Sequence, residues 1–197
     1  MKEVSGRMSH GALRAHLYEW RVSDLTAESA ATVAQLLGGT PVPGDRDVEV
    51  LTSSSRVRIV LEGAQSVATE MRLWGPQGLV HHCDGILFLS PSAVEGTPCG
   101  CPKSSDERAL LAKKLQAPNP VTSVSFRLAE CYGIGRFEFS SPSRILADAA
   151  PEIRNQLSRI SGEALCELAL ELVTVAVSGG VEVSYRMPTL SVLGPWS

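Results

Sequence analysis

Two β-forming runs, residues 164–177 and 181–192, flank Ser178-Gly179-Gly180. A glycine pair between two such runs predicts a long hairpin, and a hairpin commits any sheet it joins to antiparallel pairing. The first run holds the longest apolar stretch of the chain, residues 165–177, which Glu167 and Glu171 interrupt. That stretch is too short and too charged to span a bilayer as a helix.

The pattern continues upstream. Residues 13–22 predict a strand, with Leu17 on one face and Trp20 and Val22 on the other. Residues 47–52 and 56–61 are β-rich runs split by Ser53-Ser54-Ser55. In the second, Val57, Ile59 and Leu61 oppose Arg56, Arg58 and Val60, a half-buried strand. The period of two runs on through Val67, Thr69, Met71 and Leu73 to a turn at Gly75-Pro76-Gln77-Gly78. Further strands are expected at 79–82, 86–89, 122–128 and 136–139.

Helices are marked by their ends. Thr26 is an N-cap for residues 27–37, where Ala30, Val33, Ala34 and Leu37 recur at helical spacing, and Gly38-Gly39 stops them. Ser104 with Glu107 is a capping box for a helix to about Gln116, before Pro118 and Pro120. Pro142 opens a third helix to roughly Ile160, with a kink or break at Pro151 and Gly162 as its end. Residues 40–45 read as a Pro/Gly loop. Strands separated by isolated helices predict an α+β fold with a mostly antiparallel sheet, about nine strands and about three helices. Residues 1–12 are expected to form a flexible arm, and 13–197 one α+β domain with a Cys-bearing loop at 83–103.

A chain of 197 residues, 44% hydrophobic, can bury a core without disulfides. Its net charge of −3 suits it poorly to neutralising phosphates, so autonomous DNA binding is disfavoured. No apolar run follows Met1 to Arg7, so no signal peptide is expected. The reading is a cytosolic protein with reduced thiols, and five cysteines, an odd count, argue against a closed disulfide framework.

Three of those cysteines cluster: Cys83 in His81-His82-Cys83-Asp84-Gly85, and Cys99 and Cys101 in Thr97-Pro98-Cys99-Gly100-Cys101-Pro102. The one-residue gap between Cys99 and Cys101 is not the spacing of a zinc knuckle or a thioredoxin-type dithiol. A structural zinc needs four ligands in a closed tetrahedron. His81 shares a strand face with Cys83 and is the best fourth ligand by geometry; His82 could serve if the strand breaks there. The plainer alternative is a set of small buried or turn residues.

Other chemistry is thinly represented. The four histidines are His10, His16, His81 and His82, and there is no Gly-x-Ser-x-Gly elbow, no His-Glu-x-x-His helix and no Walker sequence. Gly133-Ile134-Gly135 lacks the third glycine of a dinucleotide fingerprint and reads as a turn. A metal-dependent hydrolase built on His81, His82 and Asp84 is the alternative enzymatic reading. Lys113 and Lys114, with Lys103 and Arg108, give one helix a basic face, either a solvated surface or a docking face for an acidic or nucleic-acid partner. Trp20 and Trp74 sit on strand patterns and are expected in the core; Trp196 is expected to be exposed or pinned to the body.

An ordered set of segments goes further. Tyr18-Glu19-Trp20-Arg21-Val22, Leu36-Leu37-Gly38-Gly39, Val48-Glu49-Val50-Leu51-Thr52 and Leu73-Trp74-Gly75 are followed by Cys83-Asp84-Gly85, Pro98-Cys99-Gly100-Cys101-Pro102 and Asp106-Glu107-Arg108. Gly133-Ile134-Gly135-Arg136-Phe137 and Val183-Ser184-Tyr185-Arg186-Met187-Pro188 complete it. Across about residues 14–193 the chain resembles the phage recombination directionality factors, excisionase-like partners of large serine integrases of actinobacterial phages. The resemblance implies a non-catalytic accessory protein in the cytoplasm of the bacterial host. Such a factor binds integrase on its attachment sites and favours attL × attR excision over attP × attB integration, while the integrase's own serine cuts DNA. It also implies a structural zinc at Cys83, Cys99 and Cys101. The resemblance is to cysteine-bearing relatives with a fourth cysteine where this chain has Ala117, so either His81 or His82 completes the set, or the site has decayed and packing holds the loop. Lys113 and Lys114 are taken as part of the partner-binding surface.

Overall fold

The computed structural model describes residues 12–15, 20–44, 47–114, 117–177 and 181–197. Its elements are β1 (Ala12–Ala15), β2 (Trp20–Leu25), α1 (Ala27–Leu37), β3 (Thr40–Pro43), β4 (Val48–Leu51), β5 (Arg56–Leu61), β6 (Val67–Gly75), β7 (Gly78–Cys83) and β8 (Phe88–Ser90). They continue with α2 (Ser105–Lys113), β9 (Asn119–Leu128), β10 (Arg136–Ser141), α3 (Arg144–Ser158), β11 (Ala164–Val177) and β12 (Val181–Pro195). The strands join in one sheet of order β12-β11-β5-β9-β10-β1-β2-β4-β3, from which β6, β7 and β8 branch off through β9. Only β1 and β10 pair in parallel among the described strands. The fold is α+β with a mostly antiparallel sheet, as the strand pattern predicts.

The branch arises because β9 is longer than either neighbour on one of its sides. Its first half pairs with β6, from Asn119↔Arg72 to Val124↔Val67, and its far end pairs with β5 at Arg127↔Val60 and Leu128↔Ile59. Burial along β9 alternates strictly, with Pro120, Thr122, Val124, Phe126 and Leu128 inside, so one face meets the core throughout.

That core holds Phe126, Phe137, Phe139, Trp20, Ile59, Leu168 and the inner face of α3. Trp20 and Phe139 meet edge to face with centroids 5.5 Å apart, the arrangement the ring quadrupoles favour. On α3 the buried residues are Leu146, Ala150, Ile153 and Leu157, one stripe at helical spacing. Met71, Cys83, Ala112 and Ala117 are buried outside this main cluster, in the branch.

Each helix starts on the cap its sequence provides. The Thr26 hydroxyl accepts from the Ser29 N–H, Ser104 from Glu107, and Ser143, rather than Pro142, from Leu146. Gly38 caps α1, and Gly39 follows at φ +93°, where a Cβ would stand 2.1 Å from the Leu51 carbonyl oxygen, so only glycine lets the chain pass β4 this closely.

Several expectations are corrected. Residues 13–22 do not form one strand: β1 turns back on β2 with Ala12↔Ser23 and Ala15↔Trp20 paired. A run of strand formers carries no mark of a reversal without glycine or proline. Residues 40–45 hold strand β3, paired with β4 from Thr40↔Leu51 to Pro43↔Val48; β3 is an edge strand, where prolines such as Pro41 and Pro43 are tolerated. Pro151 lies inside a continuous α3. Trp74 is 65% exposed beside the β6–β7 turn instead of in the core, since alternation alone does not say which end of a strand leaves the body. Trp196 is pinned by its N–H, which donates to the Glu163 carbonyl. The arm except Ala12, together with His10, His16, Gln116 and the turn Ser178-Gly179-Gly180, lies outside the described residues.

Candidate metal centre

Strand β7 is held against β6 with Leu73↔His81 and Met71↔Cys83 opposite one another. The two-residue repeat of a strand turns His81 and Cys83 to the same side, and the His81 Nε2 lies 3.1 Å from the Cys83 Sγ. After Cys83 the chain reverses over Asp84, whose Oδ1 accepts from the N–H groups of Ile86 and Leu87 at 2.8 and 2.7 Å. Those two bonds hold the Asp84 carboxyl below the usual carboxylate range. Gly85 takes φ +96°, and a Cβ there would come to 3.4 Å of the Arg108 guanidinium on α2. The reversal carries the chain back so that the Cys99 N–H donates to the Ile86 carbonyl at 2.9 Å, and Gly100, at φ +72°, bends it toward Cys101.

Four ligand atoms thereby converge. Those of His81, Cys83, Cys99 and Cys101 all lie within 4.8 Å of one another, the one such group found among the described residues. The Cys83 and Cys101 sulfurs are 3.7 Å apart, and the Cys101 Sγ is 3.5 Å from the His81 Nε2. Zinc bonds of about 2.3 Å to sulfur and about 2.05 Å to nitrogen at the tetrahedral angle imply edges of about 3.8 and about 3.6 Å. The Cys83–Cys101 and His81–Cys101 edges fit those of a Cys₃His site, the His81–Cys83 edge is shorter, and the sulfur separation excludes a disulfide bond of about 2.05 Å; all five cysteines are free.

The electrostatics match this chemistry. Burial pushes the thiols of Cys83 and Cys101 up; at Cys83 the neighbouring sulfurs add to it, and at Cys101 the Cys99 sulfur adds while the Cys83 hydrogen bond opposes it. Arg108 opposes that rise at Cys101. Buried sulfurs so close together ionise readily only beside a compensating cation. Burial also holds the His81 pKa below its ordinary value, with a smaller contribution from His82, which favours the neutral imidazole that ligates metal. The Phe88 ring covers the imidazole at 4.7 Å between centroids. Ala117 is buried two residues before β9.

His82 does something else. Its Nε2 lies 2.9 Å from the Glu70 Oε2 and its Nδ1 lies 2.9 Å from the Ser90 Oγ. Arg72 donates to the same Glu70 oxygen through Nε and Nη2. Burial alone would raise Glu70, but the His82 and Arg72 hydrogen bonds outweigh it and hold the carboxyl low. This brace ties β6, β7 and β8 together across the face opposite the sulfurs. Sequence reading passed over Glu70 and Ser90; the available signal was Glu70 and Arg72 alternating on a strand that had to pair with His82. The hydrolase grouping does not assemble: His81 faces the sulfurs, His82 faces Glu70, and Asp84 is taken up by its own turn.

Lys113 and Lys114 close α2, and both are exposed. Lys103 is exposed too, while Arg108 on the same helix reaches Gly85. A helix acidic in its first turn and basic at its end thus adjoins the Cys-bearing loop. Around that loop stand Trp74, Val80 and Ile86, exposed by 65, 63 and 72%. Gly133-Ile134-Gly135 falls in and after a 3₁₀ segment between β9 and β10, a connection rather than a phosphate cradle. No helix among the described residues is long and apolar enough to cross a membrane.

A family model described as Gp3-like, recombination directionality factor-like, matches residues 6–192. No solved structure matches the chain.

Proposed function

The chain belongs to the Gp3-like, recombination directionality factor-like family, and from that premise we propose that it binds a large serine integrase on attachment-site DNA and switches it from attP × attB integration to attL × attR excision. The match over residues 6–192 carries this reading, because it takes in the sheet, all three α-helices and the Cys-bearing loop together. The protein acts as a regulator in the cytoplasm of the bacterial host: the integrase supplies the DNA-cutting serine, and this chain supplies differential affinity. A partner that binds the excision-competent conformer more tightly moves the equilibrium by that difference and no more. A tenfold bias needs about 1.4 kcal/mol, within the usual range of coupling free energies. A net charge of −3 supports a protein-directed role over autonomous DNA binding.

In the same reading His81, Cys83, Cys99 and Cys101 hold a structural zinc. Bound there, the ion would stabilise the three thiolates and staple the loop to β7, with no open position for chemistry. Lys113 and Lys114, on the helix beside that loop, form part of the integrase-binding surface. The test is a pair of recombination assays with purified cognate integrase. Adding this protein is expected to promote attL × attR recombination and suppress attP × attB recombination. If neither direction changes, the reading is wrong.

A further inference from the structure

β12 is the last strand of the sheet and has no outer neighbour among the described residues. Its partner β11 is supported on the other side only where residues 164–169 pair with β5. Beyond Leu170 the two strands continue as a free ribbon, from Glu171↔Met187 to Val177↔Val181. Two-stranded ribbons are marginal in water, and this one shows apolar surface: Leu172 is 60% and Val183 42% exposed.

The backbone fixes which groups of β12 are open. The Leu170 N–H donates to the Ser55 carbonyl at 2.8 Å, away from β12. Leu170 and Pro188, which oppose one another, are therefore a pair without mutual hydrogen bonds. Pro188, having no N–H, suits that place. Counting back in twos, Glu182, Ser184 and Arg186 turn their N–H and C=O groups to the open edge, and their side chains share a face.

These residues are self-complementary. We infer that the open edge of β12 pairs antiparallel with the same edge of a second copy of this chain, about a two-fold axis at Ser184. That register sets Ser184 against Ser184 of the other copy, and Glu182 against Arg186 on both sides of the axis. Each of these pairs has its backbone groups facing, as a hydrogen-bonded antiparallel pair requires. On the opposite face Val183 meets Tyr185 twice. Neither Glu182 nor Arg186 has an ion-pair partner among the described residues, and Arg186 donates only to the Leu170 carbonyl, at 3.1 Å. Centring the axis on Tyr185 would set Pro188 against Glu182 and lose a hydrogen bond. Centring it on Val183 would set Glu182 against Ser184 and leave both charges unmatched. Charged residues ordinarily protect a sheet edge by repelling copies of themselves; here the two-fold axis brings opposite signs together.

Sedimentation equilibrium of the full chain tests this. The wild type is expected to dimerise reversibly. Glu182→Arg turns two symmetry-related attractions into repulsions, and the dimer is expected to weaken on the order of thirtyfold. Adding Arg186→Glu to Glu182→Arg restores opposite charges in every pair and is expected to bring dimerisation back. Ser184→Pro removes an outward N–H and is expected to give a monomer with the β11–β12 ladder intact, checked by circular dichroism. A wild type that stays monomeric at all concentrations overturns the inference. So does a double variant that dimerises no better than Glu182→Arg alone.

Discussion

Replacing His81 by alanine should separate a metal site from a cluster of buried thiols. Structural zinc sites contribute about 10–16 kcal/mol at neutral pH. Shared over four ligands, that is about 2.5–4 kcal/mol each, so losing one should weaken zinc binding by about two to three orders of magnitude. His81 is the ligand to remove because its Nε2 stands 3.1 Å from Cys83 and 3.5 Å from Cys101, whereas His82 is engaged by Glu70 and Ser90. The assay is competition against a chromophoric chelator, with elemental analysis for stoichiometry. His81→Ala should lose affinity by the stated amount, and His82→Ala should hold zinc as the wild type does while melting at a lower temperature. Zinc at about a thousand times its dissociation constant contributes about 4 kcal/mol to the folded state. Chelating it should then lower the melting temperature of a chain this size by about 8–16 °C. A wild type that takes up no zinc would refute the reasoning, and so would a His82→Ala variant that loses as much affinity as His81→Ala.

Three further outcomes are expected. Phe139→Ala opens a cavity against Trp20 in the fully buried core and should cost about 3–5 kcal/mol in denaturant unfolding; a loss below about 1 kcal/mol would contradict the packing described. Thr26→Ala removes the hydroxyl that accepts from Ser29 and should cost about 1 kcal/mol, with Thr26→Ser close to neutral. Burial raises the Glu138 pKa, and Glu70 adds to it against Arg72. A carboxyl raised in the fold favours folding below its unfolded pKa, and that advantage disappears as pH rises through the folded value. Glu138→Gln should therefore melt above the wild type at pH 7, and the difference should vanish below about pH 4; an equal difference at both pH values would show that charge is not the cause.

What could be read from the residues divides along physical lines. Helix starts were legible because a cap is a local event: Thr26, Ser104 and their N–H donors lie within four residues of one another. The alternation at the start of β5 and the long β11–β12 hairpin were legible because the period of two is set by the strand itself, whereas Val60, expected on the open face, is buried. The turn inside residues 13–22 and the pairing of β3 were not, since both depend on which distant strand accepts the hydrogen bonds. Trp74 was misplaced for the same reason: its exposure follows from β6 running past the end of β9, with Arg72↔Asn119 as the last shared pair. At the site, the shared face of His81 and Cys83 followed from strand geometry. The approach of Cys99 required the Asp84 turn and the Ile86 carbonyl, which no spacing rule announces.

The branch of β6, β7 and β8 explains why such a cluster would sit where it does. The main core runs from Trp20 to Leu190 and leaves Met71, Cys83, Ala112 and Ala117 buried outside it. A three-stranded extension with so little apolar interior has few means of fixing its own shape. Two devices supply it here, on opposite faces of one strand. The Glu70–His82–Ser90 brace orders β6, β7 and β8 by hydrogen bonds, and the convergent His81, Cys83, Cys99 and Cys101 offer a cross-link to the loop that follows. Because adjacent residues on β7 serve the two devices, the face to which an imidazole points decides which device it joins. The variant carrying both His81→Ser and Ser90→His would test this directly: it moves an imidazole from the metal face to the braced face and leaves the three sulfurs, so it should lose as much zinc affinity as His81→Ala. Zinc bound by that variant at wild-type affinity would mean that the loop, and not the strand face, selects the ligands.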